Sequence, residues 1–367
     1  VKKWIGLGLG LSCLLLAGCW DERQLKERSI IFGAAIDAPS KEEIAYTVSI
    51  PQPGNEQKPA STKQVVTETG RTVRESARKI DRKVSSVVEV GKMRVLLISK
   101  ESIQHDIYPL LDALYRNASS PLNSKIIITE GKAESFFRNE IKGEPLYSGY
   151  YENMIESAED LTMVPKTNLQ RFASPLFDKN DGEAAMAPLI AFNKEEKMAE
   201  VKGTVLFNDR RIAGELSVAE TTVLLLMNDE KRKEAMLTFQ VEKEEPISIQ
   251  VEEIKRKMKL HMPKDGPASV DLSYQIRYRV TDYPPGHLEE QKVVKKVNKK
   301  ISDEIKQSMD KTMDKIKEAE SDVLGIGLSI SAKDPDRFKQ LKWENAYPEL
   351  KVKIHVNAEI IESGITF

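Results

Sequence analysis

Few side chains in this sequence are placed to do chemistry. The chain holds two cysteines and four histidines. Cys19 sits where an apolar run meets a charged one, in Leu14-Leu15-Leu16-Ala17-Gly18-Cys19-Trp20-Asp21-Glu22-Arg23. Cys13, the other cysteine, lies inside that apolar run. A thiol at such a boundary suits S-alkylation at a membrane surface. Metal chemistry needs a cluster, and His105, His261, His287 and His355 are isolated, with no His-Glu-x-x-His and no second thiol beside them. Ser76 with Lys79, and Ser308 with Lys311, match the Ser-x-x-Lys spacing of acyl-transfer enzymes, but no Lys-Thr-Gly accompanies either pair. Gly6, Gly8 and Gly10 imitate a phosphate loop inside the apolar run. Gly325-Ile326-Gly327 lacks a third glycine and, by pattern, a following helix, so it reads as close backbone packing or a bend within a strand. These residues predict no catalytic, cofactor or metal site and no enzyme; Cys19 is the one candidate.

The run before Cys19 explains it. Lys2 and Lys3 open the chain, and residues 4–16 carry no charge. As a helix that run spans about 20 Å at 1.5 Å per residue, against the roughly 30 Å of a bilayer core. It reads as a secretory signal and not as a permanent span. Its end, Leu16-Ala17-Gly18-Cys19, matches the lipobox of bacterial lipoprotein signals. The expectation is that residues 1–18 are removed and that Cys19 becomes residue one, carrying an S-diacylglycerol and an N-palmitoyl group. Stable anchoring takes two acyl chains, and two chains of about 16 carbons give a gross term on the order of 25 kcal/mol. With Cys19 acylated, the mature chain has no thiol left for an internal disulfide, even on an oxidising face.

The elements that must carry this anchor follow from the remaining pattern. The formal net charge is −1, so no basic balance points to nucleic acid. No later apolar run approaches the 18 residues of a membrane span. Residues 30–37 and 43–50 read as strands, and the proline-rich stretch 51–60 as a loop. Val73, Ala77, Ile80 and Val84 recur at helical spacing. A strand over 93–98, a helix over 105–116 and a strand over 125–130 make a βαβ unit with parallel pairing. Residues 140–182 read as irregular and hold a domain junction. Strands follow at 184–192, 199–208 and 211–216, the last two joined as a hairpin. Ser217 and Glu220 have capping-box spacing and open a buried helix. Strands at 236–242, 247–260 and 269–280 precede a long helix over 288–319. That helix has an apolar stripe through Val293, Val297, Ile301, Ile305, Met309, Met313 and Ile316, and a charged opposite face. Strands over 325–331 and 350–361 complete the chain. The expected fold is α+β, in three mixed α/β domains, each a mostly antiparallel or mixed sheet with packed helices. After the signal (1–18) come an N-terminal domain (19–140), a middle domain (141–245) and a C-terminal domain (246–367).

These pieces, in this order, resemble the Ger(x)C family, the C subunit of bacterial spore germinant receptors. Cys19-Trp20-Asp21 resembles its start. Gly203-Thr204-Val205-Leu206-Phe207 with Arg211-Ile212-Ala213-Gly214-Glu215-Leu216 resembles its central hairpin, although Glu215 stands where a larger residue is usual. Asp322-Val323-Leu324-Gly325-Ile326-Gly327 resembles its Asp-hydrophobic-hydrophobic-Gly-x-Gly element, and Trp343 and Glu362-Ser363-Gly364 fit its C-terminus. The resemblance implies a lipoprotein on the outer surface of the spore inner membrane. There it would act in nutrient-triggered germination with two membrane subunits, A and B, and its soluble part is expected to be monomeric. The competing reading is a solute-binding lipoprotein of a transporter, which needs two lobes of repeated strand–helix units; only the first third shows that pattern. An envelope enzyme is disfavoured by the missing constellations.

Overall fold

The computed structural model describes residues 28–51, 63–103, 106–117, 119–142, 147–177, 182–242, 245–263 and 268–362. The signal, Cys19, His105 and nearly all of the proline-rich stretch lie outside these residues.

Among them, the first fourteen elements that matter are β1 (Arg28–Ile30), β2 (Gly33–Ser40), β3 (Glu43–Pro51), β4 (Lys63–Gly70), α1 (Val73–Asp81), β5 (Val87–Glu89), β6 (Val95–Ser99) and, beyond a short 3-10 turn at Lys100–Ile103, α2 (Tyr108–Tyr115), β7 (Lys125–Thr129), α3 (Ala133–Arg138), α4 (Tyr147–Asp160), α5 (Leu169–Phe177), β8 (Met186–Asn193) and β9 (Met198–Asn208). With β10 (Arg211–Ser217), most of these strands form one eight-stranded sheet in the order β10-β9-β8-β7-β6-β2-β3-β4. Strands β2, β6, β7 and β8 run parallel, and the flanking strands are antiparallel. The expected βαβ unit is present as β6, α2 and β7. Its strands are apolar at every central position because both faces are covered. Leu96, Ile98, Ile126 and Ile128 pack with α1, α2 and α5 on one side; Val95, Leu97 and Ile127 pack with α3 and α4 on the other. Strand β1 forms a separate parallel pair with β5.

Four corrections to the sequence pattern stand out. The first strand begins at Gly33, and β1 precedes it as a separate piece. Residues 140–182, read as irregular, hold α4 and α5. In α4 the buried hydrophobic positions are Tyr147, Tyr151, Ile155 and Ala158, a helical spacing carried partly by tyrosines, so an aliphatic pattern does not show it. Strand β4 was hidden beside the proline-rich stretch. Residues 325–331, read as a strand, are helical.

The remaining elements are α6 (Val218–Met227), β11 (Met236–Glu242), β12 (Glu245–His261), β13 (Ser269–Asp282), α7 (Gln291–Glu318), α8 (Ile326–Lys333), α9 (Pro335–Leu341), α10 (Trp343–Ala346) and β14 (Lys351–Glu362). The capping box at Ser217 is formed as its spacing predicts: Ser217 accepts from Glu220 N, and Glu220 accepts from Ser217 N. A second sheet runs β11-β12-β13-β14. Its last pair is parallel, because α7 carries the chain back along the sheet before β14 begins. The predicted stripe of α7 is buried from Val297 to Ile316 against one face of this sheet, and its first residue, Val293, is only partly buried there. Two polar groups of α7 also reach β14: Ser302 Oγ accepts from Ala358 N at 2.9 Å and Asn298 Oδ1 from Ile360 N at 3.0 Å. The whole is a mixed α/β fold with sheets of mixed orientation.

Candidate functional site

The segment from Ser321 to Gly327 binds the two sheets together. Ser321 Oγ donates to Phe207 O on β9 at 2.7 Å, and Ser321 O accepts from the buried Tyr347 hydroxyl at 3.1 Å. Ala184 N donates to Asp322 O at 3.1 Å. Val323 O accepts from Asn228 at the end of α6, and Leu324 O from Arg256 on β12. Gly325 has φ +61°, a left-handed conformation that glycine adopts at low cost. It turns the chain into α8, whose first N–H groups point at the Asp322 carboxylate. Oδ1 accepts from Ile326 N at 3.0 Å; Oδ2 accepts from Gly327 N at 2.7 Å and from the Trp343 indole at 3.2 Å. A helix N-terminus is an anion site, and here the protein's own carboxylate fills it. Burial pushes the Asp322 carboxyl up to about 7, against the downward pull of those three donors.

The second glycine of this element serves close approach. A Cβ on Gly327 would lie 2.8 Å from Gly182 O and collide with the Trp343 indole. The expectation of close packing therefore holds for Gly327, while Gly325 is required by its φ. Gly327→Val is expected to destabilise the chain by about 2 kcal/mol, the usual range for forced overpacking. Thermal unfolding of the chain from Trp20 onward measures it. An unchanged midpoint with germination lost would instead make this element a contact surface.

Two hollows matter here, and only the smaller adjoins this segment. The smaller, about 120 Å³, opens beside Asp322 between Gly182, Asn208, Glu320, Trp343 and Glu344. The larger, about 840 Å³, lies at the C-terminal ends of β2 and β6 and the loop after β7, the usual ligand position in sheets with parallel strands. Sequence reasoning missed this crevice, and its signal is only that three strand ends converge. Several of its polar groups are engaged within the fold, while Lys41 and Lys132 also line it. Asp37 accepts from Ala133 N at 2.8 Å and Glu134 N at 2.9 Å. Ser102 Oγ accepts from Ala38 N at 2.6 Å and is paired with the Ser99 hydroxyl, and Glu101 accepts from Gly131 N at 3.2 Å.

The other flagged side chains come apart. Ser76 donates to Ile44 O at 2.8 Å, while Lys79 reaches Thr69 O and Glu75, so no serine–lysine dyad forms. Ser308 and Lys311 lie on α7, the lysine exposed. His261 pairs with Asp271 at 2.9 Å, and His355 is exposed on β14. His287, Glu289 and Glu290 bring ligand atoms within 4.8 Å of one another at an exposed turn before α7, as solvated acids commonly do.

Comparison with known proteins gives one consistent result. Residues 21–192 match the family model described as spore germination protein N-terminal domain, and residues 202–364 match spore germination B3/GerAC like, C-terminal. The chain is 23% identical to spore germination protein GerQC of Bacillus cereus, covering 100% of both chains. It is 23% identical to spore germination protein KC of Bacillus subtilis strain 168, over 97% of this chain and 94% of the other. Spore germination protein A3 of the same strain is 27% identical over 38% of this chain and 39% of its own. Among solved structures, the crystal structure of the GerBC protein has the same fold, with a TM-score of 0.60 at 16% identity, covering 93% of this chain and 100% of that one.

Proposed function

The chain belongs to the Ger(x)C family of spore germination proteins, and on that premise we propose that it is the lipid-anchored C subunit of a nutrient germinant receptor. It acts as a scaffold or coupling subunit and not as an enzyme. The observation that carries this reading is where the family match begins: at residue 21, two residues after the lipobox cysteine, and on to residue 364. The anchor is Cys19. The site of action is the outer surface of the spore inner membrane, beside the A and B subunits. On this reading an N-terminal unit (19–140) and a middle unit (141–245) share one sheet, and a C-terminal unit (246–367) is joined to them through the Asp322 segment.

Coupling is supported by that segment, since a displacement of α8 or α10 reaches β9 through a few direct hydrogen bonds. Confinement to one membrane raises effective concentration, so weak contacts to partner subunits suffice. The alternative, a solute-binding lipoprotein, has one observation in its favour, the crevice at the ends of β2 and β6. Asp37, Ser99, Glu101 and Ser102 in it are already hydrogen-bonded within the fold, and the chain from Trp20 onward is expected to bind no amino acid, sugar or nucleoside at micromolar concentration. Calorimetric titration with a nutrient panel checks this. A stoichiometric heat with a Kd at or below about 1 μM, roughly 8 kcal/mol, would make this subunit the sensor.

A further inference from the structure

The face of the second sheet that points away from α7 is basic over much of its area. On β12, Lys255, Lys257 and Lys259 are all exposed. On β14, Lys351, Lys353 and His355 are exposed in the same alternation. The register places them on one surface: Lys255, Lys257 and Lys259 pair with Gln275, Ser273 and Asp271 of β13, and Ser269, Asp271 and Ser273 pair in turn with Lys351, Lys353 and His355. Directly paired residues share a face. The surface is a shallow trough one strand wide, with short polar side chains on its floor and lysines along both walls. Strands lie about 4.8 Å apart, so the walls stand about 10 Å apart, within the reach of lysine side chains converging on one phosphate group.

Five lysines share this face with Asp271, which His261 engages at 2.9 Å, and with Glu253 and Glu359, which flank Arg277 at its far end. Lys255 has an ion pair with Glu253 at 2.7 Å. Lys257, Lys259, Lys351 and Lys353 have none among the described residues. Lysines do guard exposed strand edges, but edge protection does not require three alternate lysines on one strand and two on another, all pointing the same way. The cost of collecting like charges is offset when a polyanion covers them.

The structure assigns this face to the phosphate headgroups of an anionic membrane. Two observations select a membrane over an acidic protein partner. First, the trough has no apolar or aromatic outward residue from Lys255 to Lys259, from Ser269 to Gln275, or from Lys351 to Asn357. Protein interfaces are built around such anchors, whereas a headgroup layer needs charge alone. Second, the tether and the C-terminal unit lie at the same end of the parallel strands. Arg28 and Ile31 precede β2, and Ala184, bonded to Asp322, precedes the parallel β8. Nine residues from Cys19 to Arg28 reach at most about 32 Å, so the anchored chain stays within reach of the bilayer. The choice of a membrane rests on the lipoprotein reading, but its test does not use the lipid.

The test is vesicle flotation with the chain from Trp20 onward, which keeps every core residue of the described elements and lacks the acyl chains. Binding is expected to vesicles with ~30% phosphatidylglycerol at low salt, and not to pure phosphatidylcholine vesicles, and it should disappear near 0.5 M salt as charges are screened. Lys257→Glu, Lys259→Glu and Lys353→Glu together are expected to weaken binding at least ~tenfold, with an unchanged circular dichroism spectrum and melting midpoint. The control reverses Lys292, Lys295 and Lys299 on α7, an equal change in net charge, and should retain most of the binding. Equal loss in both triple variants, or binding that ignores phosphatidylglycerol, overturns the proposal. So does a sheet-face variant that binds vesicles normally but no longer co-purifies with the membrane subunits in detergent, which would give the face to a protein. Loss of anchoring in Cys19→Ala tests the tether separately.

Discussion

Replacing Asp322 with alanine should cost roughly 3 kcal/mol of stability. The change leaves three donors without their acceptor, Ile326 N, Gly327 N and the Trp343 indole, around a buried position. Each unsatisfied buried donor costs about 1–3 kcal/mol. Against a typical total of 5–15 kcal/mol, this is a large fraction, and the melting midpoint should fall by roughly 6 °C or more. A pH profile separates this role from simple packing. Burial raises the carboxyl from 3.8 to about 7 in the folded chain. A group raised on folding contributes most below its unfolded value and loses that contribution as pH rises through its folded value. Stability from Asp322 should therefore decline between about pH 4 and pH 7. Asp322→Asn, which cannot ionise, should flatten that decline. Chemical denaturation across this range is the measurement, and an identical slope in the variant would show that the carboxyl titrates elsewhere.

The second large effect concerns place and not stability. Cys19→Ala should move the protein from the membrane fraction to the soluble one, or leave it unprocessed, because no described helix is long and apolar enough to cross a membrane. If Cys19 is acylated, two acyl chains would contribute on the order of 25 kcal/mol gross, and the proposed sheet-face contact would add far less once salt is present. Fractionation of spores that lack other receptor subunits is the clean arrangement. If the substituted protein stays fully with the membrane there, the lipid is not its anchor. Its thermal midpoint should match the parent, because the described cores begin at Ile31.

How far the residues alone disclose this molecule depends on what carries the signal. The stripe of α7 and the fully buried β6 and β7 were legible because aliphatic residues repeat there without interruption. The capping box at Ser217 was legible because two side chains at fixed spacing satisfy specific N–H groups. Helix α4 was not, since its buried side is partly tyrosine. Helix α8 was misread because Ile326, Leu328 and Ile330 alternate like a strand. What turns them helical is the left-handed Gly325 and the carboxylate of Asp322 beneath the first turn, a tertiary arrangement that period alone does not encode. The site fared likewise. Cys19 is read from the lipobox alone and lies outside the described residues. The basic sheet face exists only in register, where lysines nearly a hundred residues apart become neighbours.

The parallel pairing of β13 with β14 also orders events in time. The eight-stranded sheet is complete once Ser217 is available. The smaller sheet waits for the final strand, since Ser269 pairs with Lys351 across the whole of α7 and its following helices. Long loops must close before such contacts reward the chain, which makes them slow to form. The N-terminal sheet is therefore expected to form before the basic face. A chain cut short before Lys351 would keep the first, lose one wall of the trough, and leave the stripe of α7 without the strand that Asn298 and Ser302 hold in place.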